Sequence, residues 1–98
     1  MRKIEQKMAA AVAAKKSFSE SNTRVEVDDE KTVRVYLFGN CIYRVNADGR
    51  RTFTLAGWNT VTTRSRLNAL GVNVQQRKKA PYYGEDRISR VHWYEVED

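Results

Sequence analysis

Thr23-Arg24-Val25-Glu26-Val27 and Val33-Arg34-Val35-Tyr36-Leu37 decide the fold class. In both runs Val or Leu alternates with charged or aromatic residues, the two-residue period of a strand with one face on a core and the other in solvent. Asp28-Asp29-Glu30-Lys31 between them is polar and short, so the two strands form a hairpin. Toward the C-terminus, Gly39-Asn40 lies between Leu37-Phe38 and Cys41-Ile42-Tyr43-Arg44-Val45. It either closes a second hairpin or marks a bulge in one longer strand. Asn46-Ala47-Asp48-Gly49 is a turn, since Gly49 takes a positive φ at no steric cost. It leads into a further strand, Arg51-Thr52-Phe53-Thr54-Leu55, in which Phe53 and Leu55 share a face. This is an antiparallel meander.

Two segments leave that two-residue period. Ile4, Met8 and Val12 recur at helical spacing in an Ala-rich stretch, which predicts a helix over residues 4–16 with that stripe on the sheet. Residues 17–22 then read as a polar exit. Trp58-Asn59-Thr60 precedes a second helix over 61–70, where Asn59 or Thr60 caps free N–H groups and Gly71 ends the helix left-handed. Val72-Asn73-Val74-Gln75-Gln76 resumes alternation, Arg77–Pro81 interrupts it, Tyr82-Tyr83-Gly84 makes a short return, and Ile88–Val96 is the last strand. The expectation is one α+β domain spanning residues 1–98, both helices covering a largely antiparallel sheet. Val25, Val33, Val35, Leu37, Phe53, Leu55, Leu67, Leu70 and Val74 are its expected core.

Ninety-eight residues suit one domain, and 41% hydrophobic with 10% aromatic residues supply one core. The uncharged N-terminal run, Met8 to Ala14, is far short of the about 20 apolar residues that span a bilayer. Lys15-Lys16 close it too early for a signal peptide, so no membrane partner and a cytoplasmic location are expected. One cysteine, Cys41, offers no internal disulfide and suits a reducing compartment. The net charge of +6 arises from 18 basic and 12 acidic residues. Between Arg44 and Arg90 stand ten Lys or Arg against three acids, so the positive field belongs to the middle and second half of the chain. A field of that sign favours acidic partners: DNA or RNA, a phosphorylated ligand, or an acidic protein surface.

Gly57-Trp58-Asn59-Thr60-Val61-Thr62-Thr63-Arg64-Ser65-Arg66-Leu67-Asn68-Ala69-Leu70 is the least generic stretch. With Leu37-Phe38-Gly39-Asn40-Cys41-Ile42 it resembles small bacteriophage-encoded proteins in which an LxGNxIA-like strand precedes a GWxTxTTRxRLN-like segment. The likeness spans residues 22–84, with Tyr43 in place of Ala and Val61 in place of Pro. It implies a virus-derived cytoplasmic protein and no particular activity.

The residues themselves point to two candidate surfaces. At the start of the second helix, free N–H groups with Thr62, Thr63, Arg64 and Arg66 suit a phosphate, and Trp58 suits a stacked base. The alternative is structural: threonines capping, Trp58 filling the core, arginines paired or solvated. Further on, Arg77, Lys78 and Lys79 beside Tyr82 and Tyr83 pair charge for phosphates with rings for bases, or form an ordinary soluble loop. No catalytic residue, metal ligand set or cofactor motif is expected. His92 is the single histidine, in an apolar-aromatic strand without ligand spacing. No P-loop or GxGxxG is present, and Glu85-Asp86 is an isolated acidic pair. The favoured expectation is a non-enzymatic phage accessory protein binding nucleic acid through these two segments. The alternative is a protein-interaction module acting on a host factor, with Tyr36, Phe38 and Tyr43 as exposed anchors on an acidic partner surface.

Overall fold

The computed structural model describes residues 2–97. Helix α1 (Lys3–Ala14) leads into strands β1 (Phe18–Glu20), β2 (Thr23–Val27), β3 (Val33–Leu37), β4 (Asn40–Val45) and β5 (Arg51–Phe53). Helix α2 (Val61–Ala69) follows, then β6 (Val74–Arg77), β7 (Ala80–Tyr83), β8 (Asp86–Arg87) and β9 (Tyr94–Glu95). All strand pairs are antiparallel. They form two sheets, a six-stranded one in the order β1-β2-β3-β4-β5-β9 and a three-stranded one in the order β6-β7-β8. The radius of gyration is 12.6 Å, close to the ~13 Å of one folded body of about 100 residues. The α+β class is as the patterning predicts; the division into two sheets is not.

The alternating residues behave as expected on the inner face. Val25, Val33, Val35, Leu37, Phe53, Leu55, Leu67 and Val74 are buried together, joined by Met8, Ile42, Tyr43 and Val72. Leu70 differs, being only partly buried at the end of α2. Strand β4 departs from simple alternation. Val35 pairs with Tyr43 but Tyr36 pairs with Cys41, so Ile42 is an extra residue, and both Ile42 and Tyr43 turn inward. Tyr43, expected as an exposed anchor, is therefore core. The turn before it is Phe38-Gly39 rather than Gly39-Asn40, and both turn residues have positive φ, 51° and 81°.

Other boundaries move for local reasons. The polar exit after α1 contains the edge strand β1, in which only Phe18 is apolar and pairs with Val25. Strand β5 stops at Phe53, although Thr54 and Leu55 continue buried. Only Lys78-Lys79 interrupts the β6–β7 hairpin, and Pro81 lies inside β7 opposite Gln76. In a two-residue hairpin the Arg77–Ala80 pair exchanges the hydrogen bonds, so the imino nitrogen of Pro81 points away from β6 and costs no bond there. The Ile88–Val96 strand reduces to Tyr94–Glu95, leaving His92 exposed in an irregular segment.

Helix α2 starts and ends as its residues dictate. Thr60 Oγ1 accepts from the Thr63 N–H at 3.1 Å. Beyond the helix, the Gly71 and Val72 N–H groups bond the Asn68 and Leu67 carbonyls, each at 3.0 Å, with Gly71 at φ 87°. Helix α1 ends two residues earlier than predicted, at Ala14, and its C-cap Lys15 takes the left-handed conformation at φ 54° without being glycine. Lys15→Gly is expected to stabilise the protein by about 1 kcal/mol, because the Cβ clash in that conformation is removed. A rise in the urea midpoint at unchanged slope would register it.

Candidate functional site

The start of α2 separates its candidate residues into surface and interior. Trp58, on the loop before the helix, is 59% exposed. Thr62 is half-buried, whereas Thr63 is buried, its hydroxyl 2.9 Å from that of Thr60. Arg64 is half-buried and turns back over the helix start, donating to the Asn59 carbonyl at 3.2 Å and its side-chain oxygen at 2.5 Å. It also donates to Gln76 Oε1 at 3.2 Å, and Asn59 Nδ2 donates to that same oxygen at 3.1 Å. These partners are neutral, so Arg64 keeps its full charge. The Gln76 contacts tie the helix start to the strand that carries Arg77.

Arg66 corrects the sequence reading. It is 4% exposed and donates to Glu5 Oε2 at 2.8 Å, Thr23 Oγ1 at 3.0 Å and Asn22 Oδ1 at 3.3 Å. Ser65 Oγ adds a 2.5 Å bond to the same carboxylate oxygen. Burial by itself raises the pKa of Glu5, but the bonds from Ser65 and Arg66 outweigh it and hold the carboxyl below its ordinary value. The expected stripe of α1 is rotated accordingly. Glu5, Met8 and Ala11 are the buried positions, and Ile4 and Val12 sit half-buried beside them. Thr63 and Arg66 are thus buried and engaged within the fold.

The second surface stays on the outside. Lys78 and Lys79 form the exposed β6–β7 turn with φ of 49° and 66°, a geometry that normally selects Asn-Gly. Register puts Gln75 and Arg77 of β6 on one face with Tyr82 of β7, and Tyr82 directly opposite Arg87 of β8. The Arg77 guanidinium lies 5.0 Å from the Tyr82 ring and pairs loosely with exposed Glu85 at 3.4 Å. Arg90 reaches the same tip, donating to the Lys79 carbonyl at 3.1 Å. Arg87 and Arg90 were not picked out by the sequence, since pairing register and loop path are not local properties. Tyr83 belongs to the opposite face. It meets Phe53 edge-on at 5.1 Å between centroids and exchanges hydrogen bonds with the Glu97 backbone.

A third feature lies beside Trp58. Leu37, Ile42 and Leu55 floor an apolar cleft of about 420 Å³, with Phe38 and Trp58 on its rim. Phe38 at the β3–β4 tip is 71% exposed. Tyr36 faces outward beneath Arg24, whose guanidinium is 4.4 Å from its ring. Burial raises the pKa of the Cys41 thiol, which works against a reactive thiolate. No group of three or more His, Cys, Asp or Glu among the described residues is placed to hold a metal ion. No helix among them is long and apolar enough to cross a membrane.

Comparison with known proteins returns no match among curated proteins and none among solved structures. A family model described as Kyanoviridae Gp96 protein does match, over residues 1–96. That match spans α1, both sheets and α2, and agrees with the bacteriophage resemblance carried by the Gly57–Leu70 segment. The chain belongs to the Kyanoviridae Gp96 proteins and is a small phage-encoded protein.

Proposed function

We propose that the protein is a non-enzymatic phage accessory protein that binds single-stranded DNA or RNA in the host cytoplasm. The observation that supports this reading is Tyr82 on the solvent face of the small sheet, flanked by Arg77 and Arg87 beside the Lys78-Lys79 tip. Cations set around an aromatic ring follow a phosphate chain, and the ring stacks a base. Arg64, held to Gln76 with neutral partners, extends the positive surface toward Trp58. Affinity then falls with salt, because each neutralised phosphate releases counterion.

Changing Arg77, Lys78 and Lys79 to Ala flattens the salt slope by up to about three units, measured by anisotropy on oligonucleotides. Tyr82→Ala loses roughly 1–3 kcal/mol on single strands. A sharper variant is Lys78→Asn with Lys79→Gly, which removes two charges while relieving the left-handed turn. It raises stability by about 1–2 kcal/mol and still weakens binding, so unfolding cannot account for the loss. Absence of salt-dependent binding at low ionic strength ends this reading.

The Phe38–Trp58 cleft favours a second reading, a protein-interaction module in which an apolar side chain of an acidic host protein enters between the rings. Capture of a host protein that survives nuclease treatment and fails with Phe38→Ser separates it from the first.

A further inference from the structure

The helices and the small sheet all pack on one face of the six-stranded sheet. The opposite face carries a row of residues paired strand to strand: Glu26, Arg34, Arg44, Thr52 and Glu95. Most charges in this row are matched. Glu26 pairs with Arg24 at 2.6 Å, Arg34 with Asp28 at 2.9 Å, and Glu95 with Arg50 at 3.1 Å. Arg44 in the middle has no carboxylate partner among the described residues, and it stands directly opposite another arginine, which is unfavourable for a sheet. Its Nε is buried without a hydrogen-bond partner, and so is Oγ1 of Thr52, its neighbour on β5. Two orphaned polar atoms on paired residues, one of them cationic, are costly unless something accepts from them. The Trp93 ring covers the guanidinium at 5.4 Å. Trp93 is 44% exposed and belongs to the irregular segment ahead of β9.

We infer that Arg44 and Thr52 form a phosphate site on the open sheet face, with Trp93 as the ring on which the attached base stacks. A phosphate oxygen accepts from Arg44 Nε and Thr52 Oγ1 together, satisfying both atoms. It also neutralises the charge that Arg34 opposes. Trp93 shifts from its place over the guanidinium to admit the ligand, and its indole then lies beside the nucleotide. The ligand class is a nucleotide phosphate, free or within a strand. None of these residues belongs to the hairpin surface of the proposed function, so the two stand or fall separately.

The test uses protein labelled with fluorotryptophan. It has two fluorine NMR signals, one per tryptophan, and Trp93→Phe assigns them. A short oligothymidylate and inorganic phosphate are titrated separately. The Trp93 signal is expected to shift saturably, with binding weakened about tenfold or more in Arg44→Gln and less in Thr52→Val. Both variants stay folded: Thr52→Val removes an unpartnered hydroxyl, and in Arg44→Gln relief of the like-charge pair offsets the lost contact with the Trp93 ring. A response to oligothymidylate alone assigns the site to a strand, and an equal response to phosphate assigns it to the free anion. An unmoved Trp93 signal with both probes, or unchanged affinity in Arg44→Gln, overturns the inference. Weaker oligonucleotide binding by anisotropy in Lys78→Asn/Lys79→Gly, with the affinity read from the Trp93 signal unchanged, would leave this site standing apart from the hairpin.

Discussion

Arg66→Ala is expected to cost about 3–5 kcal/mol, the range for breaking a buried ion pair from one side. Arg66 and Glu5 have side chains 4% and 3% exposed, so neither finds water when the other is removed. Their network joins α2 to α1 and, through Thr23 and Asn22, to the start of β2. Glu5→Ala is expected to cost a similar amount, because it leaves a buried guanidinium with hydroxyl and amide partners only. The paired change Glu5→Leu with Arg66→Met should recover most of that loss, since apolar residues of similar volume need no partner. Urea midpoints of the two single variants and the double variant make the test. Single-variant losses within about 0.5 kcal/mol, as for solvent-exposed pairs, would contradict the burial. The same carboxylate gives an acid dependence. Its folded pKa lies below the ordinary 4.5, so its contribution is complete above that pH and is lost as pH falls through the folded value. Glu5→Gln should lack that part of the acid transition.

Phe53→Ala carries the other large effect, about 3–5 kcal/mol. Phe53 is fully buried on β5, and its ring meets Tyr83 of the small sheet at 5.1 Å and Tyr94 of β9 at 5.8 Å. Truncation opens a cavity where the two sheets join, and neither tyrosine can collapse into it freely. The Tyr83 hydroxyl is held by the Glu97 backbone, and the Tyr94 hydroxyl accepts from the Ser89 N–H at 2.7 Å. Phe53→Leu should cost much less, near 1.5 kcal/mol at most, by keeping most of the volume. A loss below about 1 kcal/mol for the alanine variant would mean that this ring does not join the sheets.

Much of the fold was legible because its causes are local. The alternation in β2 and β3 placed Val25, Val33, Val35 and Leu37 inward without knowledge of the partner strand. The cap at Thr60 and the stop at Gly71 gave α2 to within one residue. The candidate site was legible only in part. The Arg77–Lys79 hairpin is on the surface, as a polar two-residue turn must be. Its flanking Arg87 and Arg90 depend on register and loop path. Arg44 was invisible as a site, because nothing near it in sequence says that Arg34 and Thr52 flank it while every neighbouring acid is engaged elsewhere.

By itself the sequence determined the antiparallel α+β character, the limits of α2 and the inward residues of the long strands, since period, capping and turn chemistry act over a few residues. Only the tertiary structure decided the fate of individual charges and rings. Arg66 looked like a surface cation beside Arg64, yet its partner Glu5 lies 61 residues away. Tyr43 looked exposed, yet a bulge opposite β3 turned it into the core. The strands after α2 formed a second sheet whose Tyr83 packs on Phe53. Desolvation and packing are set by what lies across the chain, and a residue's sequence neighbours do not carry that information.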